Sequence, residues 1–152
     1  MAAVKILVAA VGKMAGQPFA TAAAEYQKRL PSVQVSEIVI RKALSPVAMQ
    51  SAESEALLAA TEGCFRVALD ARGKTHSSEI FSETLQNWRM AHGKIAFLIG
   101  GAEGHTEALK NACSAQLSFG AMIWPHLLAR VMLLEQLYRA ECIASGHPYH
   151  RG

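Results

Sequence analysis

Runs of apolar residues alternate with helical patterns along the whole chain. Val4 to Val11, Val33 to Ile40, Phe65 to Leu69, Ile95 to Ile99 and a short Gln116 to Phe119 read as strands, several of them apolar almost throughout. Between them, apolar positions recur at helical spacing over about 19 to 30, 46 to 60, 78 to 91, 106 to 113 and 126 to 144. Ser45-Pro46 supplies an N-cap and a proline at the first helical position of the second helix. Near-continuous apolar strands alternating with helices predict an α/β fold, with a mostly parallel sheet covered by helices on both faces. At 152 residues, residues 1–152 are read as a single domain.

The last helix carries two apolar seams. Leu127, Val131, Leu134, Tyr138 and Cys142 form one; Ala129, Met132, Leu133, Leu137, Ala140 and Ile143 form the other. A helix that is apolar on two sides needs two partners. The sheet supplies one, and a second copy of the chain is the simplest candidate for the other, so a homodimer packed through this helix is expected. The alternative is cover by another part of the same chain.

Composition narrows the classes. The cysteines Cys64, Cys113 and Cys142 are odd in number and lack CxxC spacing, which indicates neither a disulfide framework nor a zinc knuckle and fits a reducing cytoplasm. The apolar run at the start is short and interrupted by Lys13, so it reads as a buried strand rather than a secretory segment. No stretch approaches the ~20 apolar residues of a membrane span. The net charge of +3 is concentrated early, with Lys or Arg at 5, 13, 28, 29, 41 and 42 against Glu25 and Glu37. That distribution allows a polyanionic partner, and equally an ordinary solvated surface.

Four segments carry candidate chemistry. Ile95 to Gly104 runs from a buried strand into three glycines within five residues, where backbone can approach a ligand closely. It does not match the dinucleotide fingerprint GxGxxG. Leu69-Asp-Ala-Arg-Gly-Lys74 is a second strand end followed by a glycine turn; Asp70 there is a base or, more simply, a turn cap. Leu117 to His126 brings a glycine and an apolar run to the proline that opens the last helix, a greasy wall with a few fixed polar groups. The tail, Ser145 to Gly152, concentrates His147, Tyr149, His150 and Arg151, a set able to accept a proton, stack on a base and grip a phosphate. A frayed terminus is the plain alternative. His147, His150, Cys142 and His126 match no zinc spacing, and no metal is expected.

Taken in order, the KILVAAVGK opening, the LDxxGK turn, LIGGxEG, WPHxLxR, Leu137-Tyr-Arg-Ala140 and His147-Pro-Tyr-His-Arg151 resemble the RlmH family of SPOUT methyltransferases, which methylates N3 of a pseudouridine in 23S ribosomal RNA. The resemblance covers essentially the whole chain. It implies S-adenosylmethionine (SAM) as cofactor, a trefoil knot in the C-terminal half, a homodimer whose active sites are completed across the interface, and the assembled ribosome as substrate. Carried onto this chain, the cofactor contacts would be Leu69, Gly101, Gly120, Ala121, Met122, Ile123, Trp124 and Pro125. The substrate-side residues would be His126, Arg139, Tyr149, His150 and Arg151. His150 or His126 would accept the imide proton, Arg139 or Arg151 would stabilise the carbonyl oxygens, and Tyr149 would stack on or orient the base. Ala102 and Leu127 stand where the family usually has proline, which alters loop stiffness and removes no reactive group. Two rival classes are a non-enzymatic RNA-binding protein on the same fold and a SAM-dependent enzyme acting on a small molecule.

Overall fold

A computed structural model describes residues 5–151, so Val4, the first residue of the first expected strand, lies outside the described residues. Five strands form one sheet: β1 (Ile6–Val11), β2 (Val33–Ile38), β3 (Phe65–Thr75), β4 (Ile95–Ile99) and β5 (Ala115–Ser118). Their order is β2-β1-β4-β3-β5, and every neighbouring pair is parallel. Five helices alternate with them: α1 (Ala20–Lys28), α2 (Pro46–Ala60), α3 (Ser78–His92), α4 (Glu107–Ala112) and α5 (His126–Ser145).

Because side chains alternate across a strand, each strand feeds two cores. Ile6, Val8, Ala10, Ile95, Phe97 and Val67 face one side, packed with residues of α1, α3 and α5. Leu7, Ala9, Val11, Ala96, Leu98 and Ala68 face the other, against Leu57 of α2 and Leu109 of α4. β1 and β4 are buried throughout, as central strands of a two-faced parallel sheet must be. Helix starts follow the capping chemistry: the hydroxyls of Ser45, Ser77 and Thr106 accept from Ala48 N, Ile80 N and Leu109 N at 3.3, 3.1 and 3.1 Å.

β3 departs from expectation by continuing past Leu69 to Thr75. The segment Asp70 to Gly73 is an interruption in register rather than a strand end, since Leu69 and Lys74 both pair with Leu117. A side chain at Gly73 would lie 2.8 Å from the Gln116 carbonyl carbon, so only glycine lets the two backbones close up.

Most of both seams of α5 is covered within one chain, with Met132 and Ile143 left half-buried. Leu133, Leu134, Leu137 and Ala140 are fully buried in the core. Ser82 of α3 donates to Ala140 O at 2.8 Å, and Tyr26 of α1 packs on Tyr138 with ring centroids 6.5 Å apart. The two seams therefore do not by themselves call for a second subunit, because α1 and α3 flank the helix. Among the described residues no helix is long and apolar enough to cross a membrane.

Candidate functional site

The register break in β3 and the carboxyl ends of β4 and β5 open into a cleft of about 770 Å³. This is where a ligand sits in an open parallel sheet, between loops that leave on opposite faces. Here α3 and α4, which follow β3 and β4, lie on opposite faces of the sheet.

The first loop is the register break in β3. Asp70 Oδ1 accepts from Arg72 N at 2.8 Å, and Oδ2 pairs with Lys110 Nζ at 3.1 Å. Burial alone would raise its pKa, but the Arg72 amide and the Lys110 ammonium outweigh it and hold the carboxyl below its usual range. Asp70 is thus engaged as a turn cap, with both carboxylate oxygens partnered.

The second loop, Gly100 to Gly104, is held from below by α2: Gln50 Nε2 donates to the carbonyls of Glu103 and His105 at 2.9 and 3.2 Å. A side chain at Gly101 would stand 2.9 Å from Val11 Cγ1 and 3.0 Å from Glu53 Oε1, so the loop lies flat on the strand ends only with glycine there. His105, which closes the loop, is buried, and its Nε2 donates to Leu98 O at 3.0 Å. Burial keeps its imidazole neutral by pushing its pKa down.

The third loop follows β5. Ser118 Oγ accepts from Gly120 N at 3.0 Å and lies 3.0 Å from both Ala71 O and Gly120 O, tying the first and third loops together. Gly120 takes φ +112°, a conformation that favours glycine. The chain then exposes Met122, Ile123 and Trp124 before Pro125 leads into α5.

Of the expected cofactor contacts, Leu69, Gly101, Gly120, Met122, Ile123, Trp124 and Pro125 line this cleft and Ala121 does not. His126 lines it as well. Sequence reasoning missed His105, also in the wall, while Phe119 falls within the segment it had singled out. His105 directly follows the last glycine of its loop, and that adjacency was the available signal.

The remaining candidates gather elsewhere. At the C-terminus of α5, Gly146 takes φ +74° and His147 N donates back to Cys142 O at 2.9 Å, which turns the tail along the helix. Tyr149 Oη donates to Glu135 Oε1 at 2.9 Å, and its ring packs on Tyr138 at 4.7 Å. Burial, then the Glu135 carboxylate, pushes the phenol pKa above its usual range, so Tyr149 is a proton donor and not a base.

Arg139 pairs with Glu135 at 2.8 Å, lies over the Tyr149 ring at 4.9 Å and donates to His150 Nδ1 at 3.0 Å. Arginine has only hydrogens to offer, so Nδ1 carries the lone pair and Nε2 the hydrogen, which it donates to Glu79 Oε1 at 2.9 Å. The tail is therefore ordered, with His150 engaged at both nitrogens. Arg151 is exposed at its end.

His126 differs. Burial first, and the Arg130 cation second, lower its pKa, which favours the neutral imidazole with its lone pair. It opens α5, thirteen residues before Arg139, which separates the two groups by about 20 Å along the helix axis. Among the described residues no group of three or more His, Cys, Asp or Glu is arranged to hold a metal ion.

Comparison with known proteins gives this geometry its context. Ribosomal RNA large subunit methyltransferase H of Paramagnetospirillum magneticum is 42% identical over 150 residues, covering 97% of this chain and 99% of the relative. The protein of that name from Rhodospirillum rubrum is 43% identical with the same coverage, and that of Dinoroseobacter shibae is 55% identical over 104 residues, 67% of each chain. Among solved structures, the SpoU methyltransferase AviRb from Streptomyces viridochromogenes, in complex with AdoMet, matches with a TM-score of 0.48 and 11% identity, over 91% of this chain and 60% of that one. A family model described as "Predicted SPOUT methyltransferase" matches residues 4–150, and the chain belongs to that SPOUT methyltransferase family.

Proposed function

We propose that this protein is a SAM-dependent methyltransferase of large-subunit ribosomal RNA, acting in the cytoplasm on N3 of a pseudouridine in 23S rRNA within the ribosome. One observation carries the reading. Three glycine-bearing loops converge on a single cleft of about 770 Å³, in a chain whose full-length relatives are named for that activity.

The cleft suits the cofactor. Its wall is largely apolar, with backbone polar groups at the loop glycines, and a side chain at Gly101 would crowd the loop that forms its floor. Leu69, Gly101, Gly120 and the segment Met122 to Pro125 would hold it. When bound, SAM supplies an electrophilic methyl group for direct transfer.

The chain's own task is to bring the base to that methyl and to take the imide proton. His126 is the proton acceptor on this reading, supported by its neutral imidazole in the cleft wall. His150 is the weaker candidate, because its lone pair is committed to Arg139. Arg139 stabilises the negative charge that develops on the carbonyl oxygens, Tyr149 orients the base, and Arg151 meets phosphate.

His126 and Arg139 stand too far apart in one chain to serve one base. A two-fold dimer with antiparallel α5 helices would set His126 of one protomer beside Arg139 of the other. The exposed Met122, Ile123 and Trp124, together with half-buried Leu128 and Met132 on α5, offer apolar surface for such a contact. The reading carries with it the trefoil knot of the C-terminal half, supported by membership of the SPOUT family.

The test is transfer of tritiated methyl from SAM to assembled ribosomes, separate subunits and naked rRNA, mapped with and without prior pseudouridylation. Labelling of one pseudouridine in ribosomes is expected. Binding of SAM without labelling of any RNA would overturn the substrate, and RNA binding without SAM binding would return the non-enzymatic reading.

A further inference from the structure

Arg130 is an arginine in the core, its side chain 2% exposed. Its Nη1 donates to Glu37 Oε2 at 2.6 Å, and its Nη2 donates to Gly12 O at 2.9 Å and reaches Val11 O at 3.4 Å. The same Glu37 oxygen accepts from Met14 N at 2.8 Å. One ion pair thus ties the end of β2, the turn after β1 and the second turn of α5 together.

For stability alone this is a poor investment, since desolvating two charges offsets most of their attraction and an apolar pair often serves as well. What the pair does supply is geometry. Gly12 sits at φ +105°, and a side chain built there would stand 2.9 Å from His126 Nε2. The turn that Arg130 holds is therefore the surface on which the His126 imidazole rests.

We propose that Arg130 and Glu37 are positioning residues for methyl transfer: their ion pair fixes the β1–α1 turn against His126 and so fixes where that imidazole stands in the cleft. The inference rests on the methyltransferase reading of the cleft and on His126 as its proton acceptor. Lysine cannot replace arginine here. It keeps the charge, but a single ammonium on a flexible stem lacks the planar fork that spans a carboxylate and two carbonyls.

A double-mutant cycle on the full-length protein tests it: wild type, Arg130→Lys, His126→Asn and the double variant. Each is assayed for thermal unfolding, SAM affinity by calorimetry, kcat and KM on ribosomes, and, where His126 is present, its imidazole NMR signals. In the wild-type background Arg130→Lys is expected to lower kcat roughly ten- to hundredfold, with KM and SAM affinity little changed, and to move the His126 signals. In the His126→Asn background the same substitution changes kcat less than about twofold, because the residue it acts through is gone.

Glu37→Gln, which leaves the guanidinium in place, gives a milder version of the same pattern. Equal loss of kcat in both backgrounds, or His126 signals that do not move, overturns the proposal and leaves the pair a purely structural one. If Arg130→Lys fails to fold, Glu37→Gln decides by the same cycle, since it removes the charge of the pair and leaves His126 and its turn without a new contact. A wild-type protein that never methylates RNA overturns the methyltransferase reading, and the NMR signals still decide the positioning.

Discussion

Tyr149 donates its hydroxyl hydrogen to Glu135 Oε1 at 2.9 Å, reaching back fourteen residues from the end of the chain to the middle of α5. The same carboxylate holds Arg139 at 2.8 Å, so one acidic residue orients both the aromatic and the cation of the tail cluster. Tyr149→Phe keeps the ring edge-to-face against Tyr138 and under Arg139 and removes only the hydroxyl. The expected result is a loss of about 1 kcal/mol in unfolding free energy, the typical worth of one hydrogen bond. Methylation of ribosomes should fall through kcat, because Arg139 loses a neighbour that holds its anchor in place. Thermal melts and steady-state assays on the same preparations check both.

Gly101 underlies the cofactor cleft in a different way, through the absence of a side chain. With Val11 Cγ1 and Glu53 Oε1 at 2.9 and 3.0 Å from a β-carbon placed there, Gly101→Ala must push the loop off the strand ends or displace those two side chains. SAM affinity is expected to fall by roughly tenfold, about 1.4 kcal/mol, with the thermal midpoint changing little. Calorimetry on the variant measures this directly, and unchanged affinity would remove Gly101 from the cofactor floor.

The chain announced most of this fold. Buried strands and capped helices follow from local periodicity, so β4 and α2 fall where Ile95 to Ile99 and Ser45-Pro46 put them, and β1, Ile6–Val11, falls within the expected Val4 to Val11. β3 ran further than its pattern because Asp70 to Gly73 has the composition of a turn, and only the pairing of Lys74 and Thr75 with β5 shows that the strand resumes. Arg130 was illegible for a related reason. On a helical wheel a lone arginine reads as a solvent edge, and its partner Glu37 is 93 residues away. The tail residues were visible as a set, but not that Arg139 occupies the lone pair of His150, which depends on how Gly146 turns the chain.

The Glu37 carboxyl gives a pH dependence of known sign. Burial alone would raise its pKa, but the Arg130 and Met14 hydrogen bonds prevail and hold it below its ordinary value. A carboxyl whose pKa is depressed by folding stabilises the native state fully above its unfolded pKa, about 4.3, and that contribution is lost as pH falls through the folded value. The thermal midpoint of the wild type is therefore expected to exceed that of Glu37→Gln near neutrality, with the gap closing as the pH falls below the unfolded pKa of about 4.3. A gap that stays constant on acidification would mean that the carboxyl does not titrate with folding.

The roughly 20 Å between His126 and Arg139 along α5 makes a quantitative prediction about subunit sharing. If each site takes His126 from one protomer and Arg139 from the other, His126→Ala and Arg139→Ala homodimers each keep only a small residual activity. Unfolded together and refolded at equal concentration, they assort so that about half of the dimers carry one copy of each. In such a mixed dimer one site inherits both substitutions, and the other is built from the intact His126 and the intact Arg139. Activity should therefore return to about a quarter of the wild-type value per chain. A site contained within one chain would carry one substitution in every copy, and mixing would restore nothing.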